Sequence, residues 1–429
     1  MRICVVGGGY VGLVSSVCFA ELGHFVNLIE IDENKSKAIN SGMPPIYENG
    51  LKDLLSVHVG RNLHASTDYD GISGSDMSII CVGTPSSADK RLDLSMVASA
   101  SESLGKSLND GGSEKDRNAY HVVVVKSTVP PGTTEEIVIP AVLRYSGRKP
   151  DEIGFAMNPE FLREGLAVQD FMNPDRIIIG SQDKRAGDLV ESAYQRINSP
   201  IIRTGIKSAE MTKYASNAFL AAKISFANEI GNVCKRLGID VHEVMQGVGM
   251  DSRIGPRFLN AGVGFGGSCF PKDVAALIKL AQDLGEDPVL LSSVMVVNDR
   301  QPARMVELLQ SRIGELEGKR VAVLGLAFKD GTDDVRESRA IPVIRALREG
   351  RAHVAAYDPM ASEGMERIFP DIEYCQSAAD ALRGADACLV MTEWPEFSKL
   401  DKEFELMHSR IIIEGRRMLS CQDKEGICW

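Results

Sequence analysis

The segment ICVVGGGYVGLVSSVCFAELG, residues 3–23, restricts the fold of this chain more than any other. A short β-branched run ends in G-x-G-x-x-G at Gly7, Gly9 and Gly12 and passes straight into a helical pattern. That strand, turn and helix context is what a dinucleotide-binding unit requires. Gly7 permits the tight turn, Gly9 lets the backbone approach a pyrophosphate, and Gly12 lets helix and strand pack closely. The helix N-terminus adds N–H groups and positive potential. The second apolar run, FVNLIE, ends in Glu30, 18 residues past Gly12, where a carboxylate can accept hydrogen bonds from both adenosine ribose hydroxyls. It repels a 2′-phosphate and no arginine follows closely, so the pattern selects NAD over NADP.

The same alternation continues to about Pro200. ICVVG, FVNLIE, MSIICVG, HVVVVKST, IGFAMN and RIIIG read as strands, nearly continuous in hydrophobicity, as expected where helices cover both faces of a sheet. Residues 208–237 then repeat apolar positions every three or four residues without a breaker, predicting a helix about 45 Å long. Such a helix bridges domains or pairs with a second subunit. A new α/β pattern starts at GKRVAVLGLAF and runs through HVAAYDP and ACLVMTEW to RIIIEG. The expected fold is α/β, with two doubly wound, Rossmann-like domains joined by a central helical one. The boundaries read as 1–200 for the NAD domain, 201–305 for the helical domain and 306–429 for the last α/β domain. The polar stretch 107–120 reads as a surface loop.

A net charge of -11 sets the average field against nucleic acid and anionic membranes, so any phosphate must be bound locally. The nine cysteines are scattered, odd in number and never C-x-x-C, which fits neither a disulfide framework nor a zinc cluster and points to the cytoplasm. Glycines in the N-terminal apolar stretch argue against a signal peptide, and no run of about 18 apolar residues predicts a membrane span. No metal site is expected.

Chemistry concentrates after strands and at one helix start. VGTP (82–85) and KSTVPPGT (126–133) follow apolar runs, so Thr84 and Thr128 belong at the carboxyl edge of the sheet, where a nicotinamide would lie. NPEFLREG (158–165) sets Glu160 and Glu164 four apart, on one face if a helix starts there, with Arg163 beside them. Lys213 and Asn217 share a face of the long helix and offer a cation and a neutral donor, which suit an oxyanion. In GFGGSCFPKD (264–273), Pro271 marks the first turn of a helix and puts Cys269 just before it. The helix dipole and Lys272 favour thiolate there, the glycines open the backbone to close approach, and Asp273 can act as a base. A nucleophilic thiol beside a hydride acceptor suits oxidation of an alcohol through an aldehyde to an acid. The aldehyde is held as a thiohemiacetal, oxidised to a thioester and cleaved by water. An NAD-binding thiol sensor, with Cys269 oxidised instead, is the reading outside catalysis.

Taken in order, GGGYVGL, VGTP, KSTVPPGT, NPEFLREG, AEMTKYASNAFLAAKISFANEIGN, GFGGSCFPKD and GLAFKDGTDDVRES resemble the UDP-glucose and GDP-mannose dehydrogenases over nearly the whole chain. The resemblance implies Cys269 as covalent nucleophile, Lys213 and Asn217 at the oxyanions, and Thr128, Glu160 and Asp273 positioning or activating water. It implies Gly7, Gly9, Tyr10, Val11, Gly12, Glu30, Lys35, Thr84, Thr128 and Glu164 at NAD, with Lys272 and Arg336 toward its phosphate and nicotinamide. Phe161, Leu162, Arg163, Lys213, Asn217, Arg257, Phe258, Phe265, Gly266 and Lys329 would line the sugar nucleotide, held between the first and last α/β domains. Arg253 or Arg257 would cross to the partner of a homodimer built on the long helix. The cysteine loop is similar to that of the UDP-glucose branch, which implies four-electron oxidation of UDP-glucose to UDP-glucuronate. The end KEGICW is similar to the GDP-mannose enzymes, which keeps GDP-mannose as the alternative, with N-acetylhexosamine substrates behind it.

Overall fold

Runs such as VVVV and IIIG become strands because β-branched side chains suit a pleated surface and both faces here are covered. The computed structural model describes residues 1–87, 89–110 and 119–429, in two units, Met1–Ala215 and Ser216–Trp429. The first unit holds an eight-stranded sheet. Its strands are β1 (Arg2–Val6), β2 (Phe25–Ile29), β3 (Leu63–Ser66), β4 (Met77–Ile80), β5 (His121–Val125), β6 (Ile153–Met157), β7 (Ile177–Ser181) and β8 (Ile201–Thr204). They lie in the order 3-2-1-4-5-6-7-8, parallel throughout except where β7 runs antiparallel to β6. Alternate residues feed two cores: Ile3 and Val5 join one, Cys4 and Val6 the other. Burying each valine or isoleucine contributes about 1.5–3 kcal/mol.

The first unit's helices are α1 (Tyr10–Glu21), α2 (Glu33–Asn40), α3 (Leu51–His58), α4 (Ser95–Asp110), α5 (Ile139–Ser146), α6 (Ala167–Met172) and α7 (Lys184–Ser192). The long helix is α8 (Ile206–Leu237), two residues longer at its start than the periodicity predicts. β8 pairs with β7, so the first sheet extends past residue 200 into the segment read as helical. Of the stretch read as a loop over 107–120, residues 107–110 close α4 instead, and 111–118 lie outside the described residues.

The second unit continues with α9 (Val241–Gly249), α10 (Phe270–Asp283) and α11 (Val289–Ile313). Its sheet comprises β9 (Arg320–Leu324), β10 (His353–Tyr357), β11 (Glu373–Tyr374), β12 (Ala387–Val390), β13 (Ile412–Glu414) and β14 (Lys424–Gly426). All pairings are parallel and the order is 11-10-9-12-13-14. It is flanked by α12 (Ala340–Glu349), α13 (Ser362–Glu366) and α14 (Ala378–Leu382). The chain reverses direction across each sheet between its first strand and the neighbour on the other side, β1 and β4 or β9 and β12. Ligands bind at such switch points in doubly wound folds.

Candidate active site

Three glycines build the β1–α1 turn, each differently. Gly7 has φ +105°, and a Cβ there would stand 2.9 Å from Cys81 O. A Cβ at Gly12 would lie 1.8 Å from Gly7 O, so only glycine lets helix meet strand. Gly9 opens α1, and nothing lies within 4 Å of where its Cβ would be. No side chain caps α1 and no acidic residue stands in its first turn, which fits a pyrophosphate. Buried Glu30 accepts from Gly8 N at 3.0 Å and Asp32 N at 2.9 Å, one oxygen bonding the β1–α1 turn and the other its own loop. The remaining lone pairs suit ribose hydroxyls. Ile31, 77% exposed, adds an apolar surface beside it that the sequence reading passed over. These residues fit NAD.

At the carboxyl ends of β4 and β5, the Thr84 hydroxyl donates to Thr128 O at 2.9 Å, tying the two expected nicotinamide loops together. No helix forms over 160–164, contrary to the spacing of Glu160 and Glu164. Pro159 stands two residues past the end of β6, Gly165 takes φ +80°, and regular helix resumes only at Ala167. The two glutamates therefore separate. Glu160 is buried against Lys213 Nζ at 3.0 Å, with side chains 7% and 5% exposed, and its second oxygen accepts from Leu162 N at 2.5 Å. Lys213 also stands 5.3 Å from the Phe161 ring. Glu164 is half-buried, and Arg163 turns to Asp170, donating from its Nε at 2.9 Å and from its Nη2 at 2.6 Å.

One turn beyond Lys213 on α8, Asn217 Nδ2 donates to Asp273 Oδ2 at 2.6 Å, and Lys272 Nζ meets Asp273 Oδ1 at 2.8 Å. Asp273 is 2% exposed, with each oxygen holding one of these donors. Cys269 occupies the N-cap of α10, with proline in the first turn as its sequence predicts. It is exposed, whereas the other eight cysteines are buried. Burial pushes the thiols of Cys4, Cys18 and Cys81 up to about 12 and those of Cys375 and Cys428 up to about 11. Cys269 is thus the one thiol of the nine that solvent reaches readily.

The glycines before Cys269 admit protein rather than open space. A Cβ at Gly266 would stand 2.2 Å from Glu337 O, and one at Gly267 would lie 2.7 Å from the Phe328 ring. Gly267 N also donates to Arg336 O at 3.0 Å. The loop is further laced by buried Asn298, which bonds both Phe265 N (2.7 Å) and Phe265 O (3.1 Å), and by Gln301 to Gly262 O at 2.8 Å. Phe258, at φ +67°, and Phe265 each pack near Phe270, with centroids 6.1 and 6.0 Å from it. Of the other predicted residues, the Arg336 guanidinium pairs with Asp334 at 2.7 Å and Lys329 lies 6.0 Å from the Phe328 ring. Arg257 and Lys35 are exposed, and Arg253 pairs with Asp251 at 2.6 Å. Tyr10 and Val11 are half-buried.

The KEGICW tail has a packing role. β14 joins the sheet, Cys428 is buried against Gly231 and Gln301, and the Trp429 ring stands 4.7 Å from that of His242.

A pyrophosphate-ready Rossmann turn, an acid at the second strand and an exposed thiol on a helix N-cap define an NAD-dependent dehydrogenase. The chain belongs to the UDP-glucose/GDP-mannose dehydrogenase family. Residues 1–198 match its NAD-binding domain, 207–300 its central domain and 322–421 its UDP-binding domain. Over 100% of its length it is 50% identical to the UDP-glucose 6-dehydrogenase AglM of Haloferax volcanii, covering 99% of that protein. It is 42% identical to TuaD of Bacillus subtilis, also a UDP-glucose 6-dehydrogenase, with 99% of this chain and 91% of that one covered. Among solved structures, a UDP-glucose dehydrogenase from Pyrobaculum islandicum superposes with a TM-score of 0.94 at 40% identity, covering 100% of this chain and 98% of that one.

Proposed function

We propose that this protein oxidises the C6 alcohol of UDP-glucose to the carboxylate of UDP-glucuronate through a thioester on Cys269. The observation that carries this is the exposure of one thiol of nine, on the N-cap of the helix whose first turn holds Lys272 and the buried Asp273, which Asn217 bonds. UDP-glucose is favoured over GDP-mannose because the relatives at 50% and 42% identity are UDP-glucose enzymes.

When bound, NAD would supply the hydride acceptor for both oxidations, two per sugar nucleotide. Gly7, Gly9, Gly12 and Glu30 would hold it, with Thr84 and Thr128 at the nicotinamide side. The C6 hydroxyl first yields an aldehyde, its proton passing to a protein base. The Cys269 sulfur then adds to the carbonyl carbon as a thiohemiacetal, whose oxidation leaves a thioester. Lys213 and Asn217 steady the successive oxyanions. Water cleaves the carbon–sulfur bond, returning the thiol and releasing the acid, with Glu160 orienting that water. Asp273 acts through Asn217, since its oxygens bond that amide and Lys272.

The working state in this reading is a cytoplasmic homodimer, supported by an exposed apolar stripe on α8 and by nine cysteines suited to a reducing compartment. Its domains are the NAD unit, a helical unit about α8 to α11 and the UDP-binding unit.

Turnover tests the mechanism. Purified protein should form two NADH per UDP-glucose consumed, with an acid product, and should oxidise GDP-mannose far more slowly. Cys269→Ser should lose acid formation. One NADH with a released aldehyde, or acid formation by the serine variant at the parent rate, would sink the covalent route. A reversibly oxidised Cys269 with no turnover would support the sensor instead.

A further inference from the structure

Glu48 lies in the link before α3 and belongs to no motif singled out by sequence, yet it is 6% exposed. Three donors reach its carboxylate. Oε2 takes the Tyr10 hydroxyl and Gly165 N at 2.7 Å, and Oε1 takes Ala167 N at 2.9 Å. Gly165 N also reaches the Tyr10 oxygen at 3.1 Å, so tyrosine, glutamate and peptide form a closed triangle. From the adjoining residue, Asn49 Nδ2 donates to Gly165 O at 2.8 Å and pins that peptide from its other end.

The segments joined in this way are specific. Tyr10 is the first residue of α1, directly after Gly9, whose surroundings are open for a pyrophosphate. Gly165 directly follows Glu164 and ends the loop that begins at the buried Glu160. That loop has no regular structure, and the left-handed Gly165 gives it no helical bonds of its own. Its distance from the α1 N-terminus must therefore be set from outside, and Glu48 bonds both. Anchoring α3 needs no such carboxylate, since Leu51 and Leu55 are fully buried.

We infer that Glu48 is a positioning residue for NAD: it holds the pyrophosphate turn and the 160–165 loop in one register without touching the cofactor. The inference rests on the assignment of the β1–α1 turn and Glu164 to NAD. Glu48→Gln keeps the shape but turns an amide toward a backbone N–H, so the register loosens.

Calorimetric titration of the full-length protein with NAD and, separately, with UDP tests this. Glu48→Gln should weaken NAD about tenfold and Tyr10→Phe about threefold, the loss expected for removing one charged or one neutral partner of a buried bond. UDP should bind each variant as it binds the parent. The double variant should bind NAD no more weakly than Glu48→Gln alone, because both changes cut one link. A folded Glu48→Gln protein whose NAD affinity stays within twofold of the parent overturns the inference, as does an equal loss for UDP or simple additivity. If Glu48→Gln does not fold, Tyr10→Phe decides, and unchanged NAD affinity rejects the role. A parent that binds NAD but oxidises no sugar nucleotide would refute the proposed reaction while leaving this test intact.

Discussion

Lys126 ends the valine run of β5 as a buried cation facing neutral partners, Asn158 Oδ1 at 3.0 Å and the Tyr194 hydroxyl at 3.3 Å. Burial lowers its pKa from 10.5 to about 8, against the opposing pull of Cys81 and Glu160. Between those values the unfolded chain still binds the proton and the folded chain does not, so this residue makes stability rise with pH. Below pH 8 both states are charged, and the whole cost of the buried cation stands. Lys126→Met should stabilise the protein at pH 7 by at most about 3 kcal/mol, a gain that fades toward pH 10. The Tyr194–Asn158 hydrogen bond of 2.6 Å survives the change, so no partner is orphaned. Urea melts of parent and variant from pH 6 to 10 measure the difference, and a less stable variant at pH 7 would refute it. Nothing in the spacing of KSTVPPGT separates a ligand-facing lysine from a buried one. Glu48, Asn298 and Gln301 escaped the sequence reading for the same reason: a lone polar residue under a core has no period. The N-cap position of Cys269 was legible because the chemistry of a helix start is local.

Among elements, α8 was readable almost from end to end because no proline interrupts its period. The edge strands β3, β8, β11 and β14 were not, having two to four residues each and too few alternations to register. The condition on which Glu160 and Glu164 would share a face, a helix starting there, is not met, because side-chain spacing is silent about Pro159 and Gly165 setting the backbone. The reading of α8 as an interface has a physical counterpart. Phe219, Phe226 and Val233 stand seven residues apart, and with Leu237 are 67%, 51%, 54% and 67% exposed. Seven-residue spacing keeps side chains on one narrow line of a helix, as a paired helix requires. A line of this kind calls for cover, and a second copy across a two-fold axis brings the same line. Phe219→Glu combined with Phe226→Glu should convert a dimer into monomers by sedimentation velocity. An active parent that sediments as a single monomeric species would end the proposal.

At the scale of the whole molecule, one topological position does two different jobs. Glu30 directly follows β2 and Asp358 directly follows β10, each beside the first strand of its sheet. Glu30 accepts from Gly8 N, and Asp358 from the corresponding Leu326 N at 2.7 Å. There the likeness ends. After β1 the helix begins at Tyr10, whereas after β9 the chain runs through 325–339 before α12 begins. Asp358 also accepts from Ala327 N, Met360 N, Ala361 N and the Trp394 indole, at 2.8 to 3.0 Å. Five donors leave that carboxylate holding its own loop, so the second sheet offers neither an open acid nor a helix start at its switch point. Glu30→Gln should weaken NAD by about 10-fold or more, since a hydrogen bond to a charged group contributes roughly 1.5–3 kcal/mol, and should also cost some stability, because its amide faces either Gly8 N or Asp32 N. Asp358→Asn should cost stability alone, because an amide facing five N–H donors leaves at least one unmatched at about 1–3 kcal/mol. Its melting temperature should fall by about 2–4 °C per kcal/mol lost, with NAD affinity untouched. Differential scanning calorimetry and NAD titration on both variants separate the two roles, and a loss of NAD affinity in Asp358→Asn equal to that in Glu30→Gln would show the division to be false.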